Sequence, residues 1–195
     1  EKVLVMRVFI IVLVLIFSFQ SWTKADDISD FEIEGMSVGD SLLDFMSVKE
    51  IKDADRNYAK NKKYYVTGKD KNLKIYDAVD VYLKSGDNKY IIRALGGTIF
   101  MEIKKCLTLK DKVVEEVSGI FSNTSGKTFK PFNHTYDKSG KSKQHQTLFK
   151  LNDNSIRVEC VDWSKKIENE NNWQDNLSVS AVSKEILLWI RSGYN

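Results

Sequence analysis

The amino-acid sequence predicts an α+β domain: an antiparallel β-sheet with helices packed on one side. Three observations lead there. Runs rich in β-branched and aromatic residues at 64–67, 75–83 and 90–101 are separated by Lys-Asp-Lys-Asn and Gly-Asp-Asn turns, the pattern of a three-stranded meander. Leu109, Val113, Val117, Ile120 and Phe121 recur at helical spacing, with Lys110, Asp111, Lys112, Glu115 and Glu116 on the opposite side. The order helix-then-strands occurs twice, over 28–101 and 107–182, so the two halves are candidates for a diverged duplication.

Taken in order, the first segment reads as an address. Residues 8–17 are apolar and uncharged, follow Lys2 and Arg7, and lead into a polar stretch with Thr23 and Ala25 at the −3 and −1 positions. That describes a secretory signal peptide over 1–25, translated from Met6 and cleaved after Ala25, with a run too short to span a bilayer. The expected location is therefore periplasmic or secreted, with no transmembrane span after cleavage. A single α+β domain follows, over 26–195. Phe31 and Ile33 mark a short strand, Ser37–Phe45 a short helix, and the capping box Ser47-Val-Lys-Glu50 a second helix running to about Lys60. Gly96-Gly97 in the third meander strand suggests a bulge or bend. Thr108 is the expected cap of the helix Leu109–Phe121. A long Ser/Thr/Gly/Lys-rich loop fills 122–145, strands follow at 146–151 and 155–162, and 164–175 is very polar. A strand at 177–182 and a helix at 184–191, capped by Ser183, close the chain.

Composition and charge narrow the function classes. The chain of 195 residues has a formal net charge of only +3. The signal segment holds three of its 30 basic residues and one of its 27 acids, so the remainder is close to balanced, which argues against a nucleic-acid partner. The charge is unevenly placed: 26–48 holds seven acids and no Lys or Arg, whereas 124–145 holds five lysines and one acid, Asp137. Such asymmetry steers anionic partners to one face. Cys106 and Cys160 are the only cysteines and, in an exported protein, are expected to form a structural disulfide joining the start of a helix to a late strand.

Catalytic motifs fail on spacing. Gly126-Lys127-Thr128 and Gly140-Lys141-Ser142 lack the upstream glycine of a phosphate-binding loop. There is no G-x-S-x-G, and the only histidines, His134 and His145, sit in a Lys-rich loop that would repel a metal ion. No metal, cofactor or catalytic residue is therefore assigned, and the chain reads as non-enzymatic. The expected binding residues are Lys127, Lys130, Phe132, His134, Tyr136, Lys141 and Lys143, aromatics interleaved with cations that suit an anionic surface, a glycan or a protein partner. An envelope hydrolase is the alternative, if Asp77, Asp80 or His145 gather in one cleft.

Two resemblances bear on function. The segment Ile33-Glu-Gly-Met-Ser-Val-Gly-Asp-Ser-Leu-Leu43, with Leu177-Ser-Val-Ser180 and Ser183-Lys-Glu185, resembles uncharacterised exported proteins of small-genome marine bacteria, which have no assigned activity to carry over. Over 33–101, Gly35-Met36-Ser37 leading into a short helix pair and a meander is similar to the small periplasmic adaptor of the outer-membrane β-barrel assembly machinery and to β-lactamase-inhibitor-like folds. That resemblance implies binding to proteins without chemistry; the chain departs from it in lacking a lipid-bearing Cys. Together these readings make the expected function that of an exported binding or adaptor protein of the cell envelope.

Overall fold

The computed structural model describes residues 27–56 and 63–193; the signal segment lies outside them. The described chain is α+β. A two-stranded ribbon pairs β1 (Glu32–Ile33) with β2 (Met36–Ser37). An antiparallel sheet of eight strands runs in the order β3-β4-β5-β10-β9-β8-β6, with β7 also on β8. Its members are β3 (Tyr64–Lys69), β4 (Ala78–Lys84), β5 (Ile92–Phe100), β6 (Lys127–Thr128), β7 (Phe132–Asn133), β8 (Lys143–Leu151), β9 (Asn154–Asp162) and β10 (Asn176–Val182). The helices are α1 (Val48–Asp53), α2 (Ile103–Ile120), α3 (Lys165–Asn171) and α4 (Lys184–Arg191). Two compact units divide the described residues: 27–97, 150–156 and 180–193 in one, 98–149 and 157–179 in the other.

In the first unit, alternation in β4 buries Val79, Val81 and Leu83 while Asp80 and Tyr82 are only half-buried. β3 pairs with β4 in the register Tyr64↔Lys84 to Lys69↔Val79. Ala54–Arg56 lies along the other side of β3: Arg56 N–H donates to Val66 O and Gly68 N–H to Ala54 O. This edge is thereby covered, and Arg56 pairs with Asp70 and with Asp80 (3.1 Å). The same pairing explains why the helix that opens at the Ser47–Glu50 capping box stops at Asp53 rather than near Lys60, although 57–60 lie outside the described residues. The expected helix 37–45 is instead β2 followed by a single 3-10 turn, Leu42–Asp44, because Gly39 takes φ +103° and Ser41 caps the turn. β4 starts at Ala78, not Ile75, because the backbone N–H groups of Lys74, Ile75 and Tyr76 all donate to the Glu34 carboxylate at 2.7–2.9 Å. α4 packs Ile186 and Trp189 against Tyr64, Ala94 and Val182. Ser183 stands at its N-cap without capping it; Asn154 Oδ1 accepts the Lys184 N–H instead (3.1 Å).

In the second unit, α2 turns Cys106, Leu109, Val113 and Val117 inward, and Phe121 follows, fully buried. The helix begins six residues before the expected start, so Thr108 is interior and its hydroxyl donates to Lys104 O (3.2 Å). Lys110, expected in water, is 5% exposed, with Nζ on Thr147 Oγ1 and Asp111 Oδ1 at 3.3 Å each. The Cys106–Cys160 disulfide is present and ties α2 to β9. The 122–145 segment is not a bare loop: β6 and β7 are laid along β8, whose first residue is Lys143. The polar run 164–175 contains α3, ended by Asn172 in the left-handed conformation (φ 54°).

Candidate functional site

The residues between β7 and β8 form an arm organised by one buried carboxylate. Asp137 is the only acid in 122–145 and is 5% exposed. Its Oδ1 accepts the Ser139 N–H (2.9 Å); its Oδ2 accepts the Ser142 N–H (3.0 Å), the Ser142 hydroxyl (2.7 Å) and the Ser164 hydroxyl (2.9 Å). Ser164 N–H donates in turn to Ser142 Oγ (3.0 Å). Hydrogen bonds from Ser139 and Ser142 hold the Asp137 carboxyl far below the usual carboxylate range. The network closes the 137–140 turn and fastens the arm to the start of α3.

Four rings meet where the arm and α3 are joined. His134 and Trp163 have centroids 4.3 Å apart, Trp163 and Trp173 4.7 Å, Tyr136 and Trp173 4.7 Å, and Tyr136 meets Trp163 edge-on at 6.4 Å. Two of them carry a hydrogen bond on the ring's polar atom. Tyr136 OH donates to Asn171 Oδ1 (3.2 Å), and His134 Nδ1 accepts the Tyr136 N–H (3.2 Å). Burial pushes the His134 imidazole below its ordinary value, which keeps it neutral and Nδ1 free to accept. The backbone N–H of Trp163 donates to Asp175 Oδ1 (2.8 Å), a carboxyl whose pKa burial raises. Yet Tyr136 is 51% and Trp173 37% exposed. The result is an aromatic platform of mutually contacting rings, partly open to solvent. A groove of about 470 Å³ is lined by Gln174 and Asp175, which follow Trp173 in the chain, and by Phe100, Met101, Glu102, Lys105, Lys165 and Glu168.

Of the residues expected in the site, the structure brings His134 and Tyr136 together. Lys141 is exposed on the arm, Lys130 is exposed between β6 and β7, and Phe132, 37% exposed, sits on β7. Lys127 lies over the Phe129 ring at 5.1 Å on β6. Lys143 Nζ bridges Asn133 Oδ1 and Gly140 O. Trp163, Trp173 and Asn171 were outside the expected set. Two tryptophans bracketing a polar run with no apolar partners at helical spacing are the signal that points to them.

Asp80 is held by Arg56, and His145 stands on β8. Among the described residues, no three His, Cys, Asp or Glu side chains are placed to hold a metal ion, and no helix is long and apolar enough to cross a membrane. No family model, curated protein or solved structure matches the chain. The resemblances noted above therefore rest on their sequence segments alone.

Proposed function

We propose that the chain is an exported, non-enzymatic binding or adaptor protein of the cell envelope, which takes its partner on the platform of His134, Tyr136, Trp163 and Trp173. The observation that carries this reading is the exposure of Tyr136 and Trp173 within a set of rings in mutual contact, on an arm that Asp137 fastens to Ser164. Large apolar rings left in water are costly unless covered by a partner, and fixing them in advance lowers the entropy lost on binding. The signal-like segment and the buried disulfide support export.

The test is retention of envelope components on immobilised mature protein and on a Tyr136→Ala/Trp173→Ala variant whose circular dichroism matches the parent. A component held by the parent and released by the variant supports the reading. Equal recovery from both overturns it.

A further inference from the structure

We infer that His134 is an acid-sensitive latch on the platform: its neutral ring holds Tyr136 in place for the partner, and protonation frees Tyr136 and lets the partner go; this rests on the platform reading. The latch depends on which atoms donate. His134 Nδ1 accepts the Tyr136 N–H (3.2 Å), the backbone N–H of His134 donates to Ser142 O (3.0 Å), and its ring lies against Trp163. An imidazole offers an acceptor only when neutral; in the imidazolium both nitrogens carry hydrogen and donate. Protonation therefore sets Nδ1–H against the Tyr136 N–H, donor to donor. Turning the ring over does not repair this, because it puts a carbon where Nδ1 was. Either way the Tyr136 N–H loses its acceptor. Tyr136 is 51% exposed, so water takes that N–H and the turn loosens. What remains on Tyr136 is the bond from its hydroxyl to Asn171 Oδ1 and its ring contacts with Trp163 and Trp173.

The surroundings set the direction of the switch. Three charged groups of the arm are held around His134. The Asp137 carboxylate takes four hydrogen bonds, Lys138 Nζ donates to Thr135 O (3.0 Å), and Lys143 Nζ donates to Asn133 Oδ1 and Gly140 O. From the start of α3 the ring meets Trp163, which is uncharged and whose backbone N–H is on Asp175; two residues further along, Lys165 is paired with Glu168. Burial of the His134 ring disfavours the imidazolium and prevails over the opposite pull of Asp137. The latch is therefore closed at neutral pH and opens as pH falls below the ordinary imidazole value of about 6.5. A protonated ring stays on the face of Trp163, so Tyr136 is released and His134 is not. Asp137, ionised far below that range, keeps the arm fastened to Ser164 throughout. Acid thus opens the platform without detaching the arm.

The experiment follows the isotopically labelled mature protein by NMR from about pH 8 to about pH 5, which brackets imidazole titration, and repeats the envelope retention over the same range. The Tyr136 amide and Trp173 indole resonances should shift with the midpoint of the His134 ring, while the Trp189 indole stays still. His145→Gln, which removes the other imidazole, should leave that coupling intact. His134→Phe keeps a ring beside Trp163 but neither accepts nor titrates, so its Tyr136 amide should hold the acid position at every pH. An envelope component that the Tyr136→Ala/Trp173→Ala variant releases should be held by the parent with an affinity falling up to about tenfold per pH unit below the His134 midpoint, the limit for one coupled proton. His134→Phe should hold it weakly and without pH dependence. A Tyr136 amide that ignores the His134 titration overturns the inference, and so does retention by the parent that acid does not weaken; in both cases the platform stands if the double variant still releases the component. If the double variant retains it, platform and latch fall together.

Discussion

Replacing both cysteines by alanine probes the largest single constraint in the second unit. Cys106 and Cys160 are fully buried, with Cα atoms 5.9 Å apart, and the bridge spans a sequence separation of 54. In the chain-entropy treatment, closing a loop of that length removes enough freedom from the unfolded chain to stabilise the fold by about 4 kcal/mol. Leu109, Val113 and Val117 still bury the same stripe of α2, so the Cys106→Ala/Cys160→Ala protein is expected to fold. For a domain of this size each kcal/mol moves the melting temperature by about 2–4 °C, so Tm should drop by about 8–16 °C. Thermal unfolding followed by circular dichroism measures it, on the parent, the parent with reductant, and the variant. A Tm within about 3 °C of the parent's would refute the reasoning, because the constraint would then not act on the unfolded chain as assumed. Thiol counting on unfolded, unreduced parent should find no free thiol.

Three further outcomes follow from particular contacts. A Cβ on Gly97 would lie 2.4–2.6 Å from the Tyr76 ring, so Gly97→Ala should cost about 1–3 kcal/mol in urea unfolding, and Tyr76→Leu should restore most of it. Lys110→Met keeps the buried stem and removes an ammonium held by two contacts at 3.3 Å; its unfolding midpoint should match or exceed the parent's, and a fall of more than about 2 kcal/mol would show the charge to be needed. Acidification should loosen the arm in two stages, read by tryptophan emission. His134, neutral in the fold because burial lowers its pKa, stabilises fully above its unfolded value near 6.5, and that contribution fades as pH falls below it. Asp137, held far lower in the fold than the unfolded value of about 4, loses its contribution only as pH drops beneath that value. Asp137→Asn should keep the first stage and abolish the second; a parent with no change below about pH 4 contradicts the assignment.

Local signals were legible where local chemistry decides the structure. The Ser47–Glu50 box forms with both of its hydrogen bonds, and the last helix spans Lys184–Arg191 as its periodicity predicts. The cysteine pair was readable from the signal-like segment and the number of cysteines alone. What escaped depends on partners distant in sequence: Glu34 delays β4 from some 40 residues away, and the pairing of Ala54–Arg56 with β3 truncates α1. α3 is polar throughout except for Ile167, and therefore shows no apolar stripe. Half of the platform shared this fate. His134 and Tyr136 stand in a segment whose composition draws notice, but Trp163 and Trp173 meet them through contacts between residues distant in sequence, among them the hydrogen bond from Ser164 to Asp137, 27 residues away. The contacts of Lys143, whose Nζ donates to the Asn133 amide oxygen and the Gly140 carbonyl, are likewise set by the fold of the turn rather than by composition.

The most direct test of the central claim uses the indole N–H resonances of the mature protein, which come from Trp163, Trp173 and Trp189. Trp189 is 4% exposed in the α4 cluster and serves as an internal control. On titration with an envelope component retained by the parent protein, the resonances of Trp163 and Trp173 should shift together and saturate while that of Trp189 stays still. Binding that leaves Trp163 and Trp173 unmoved would contradict the account.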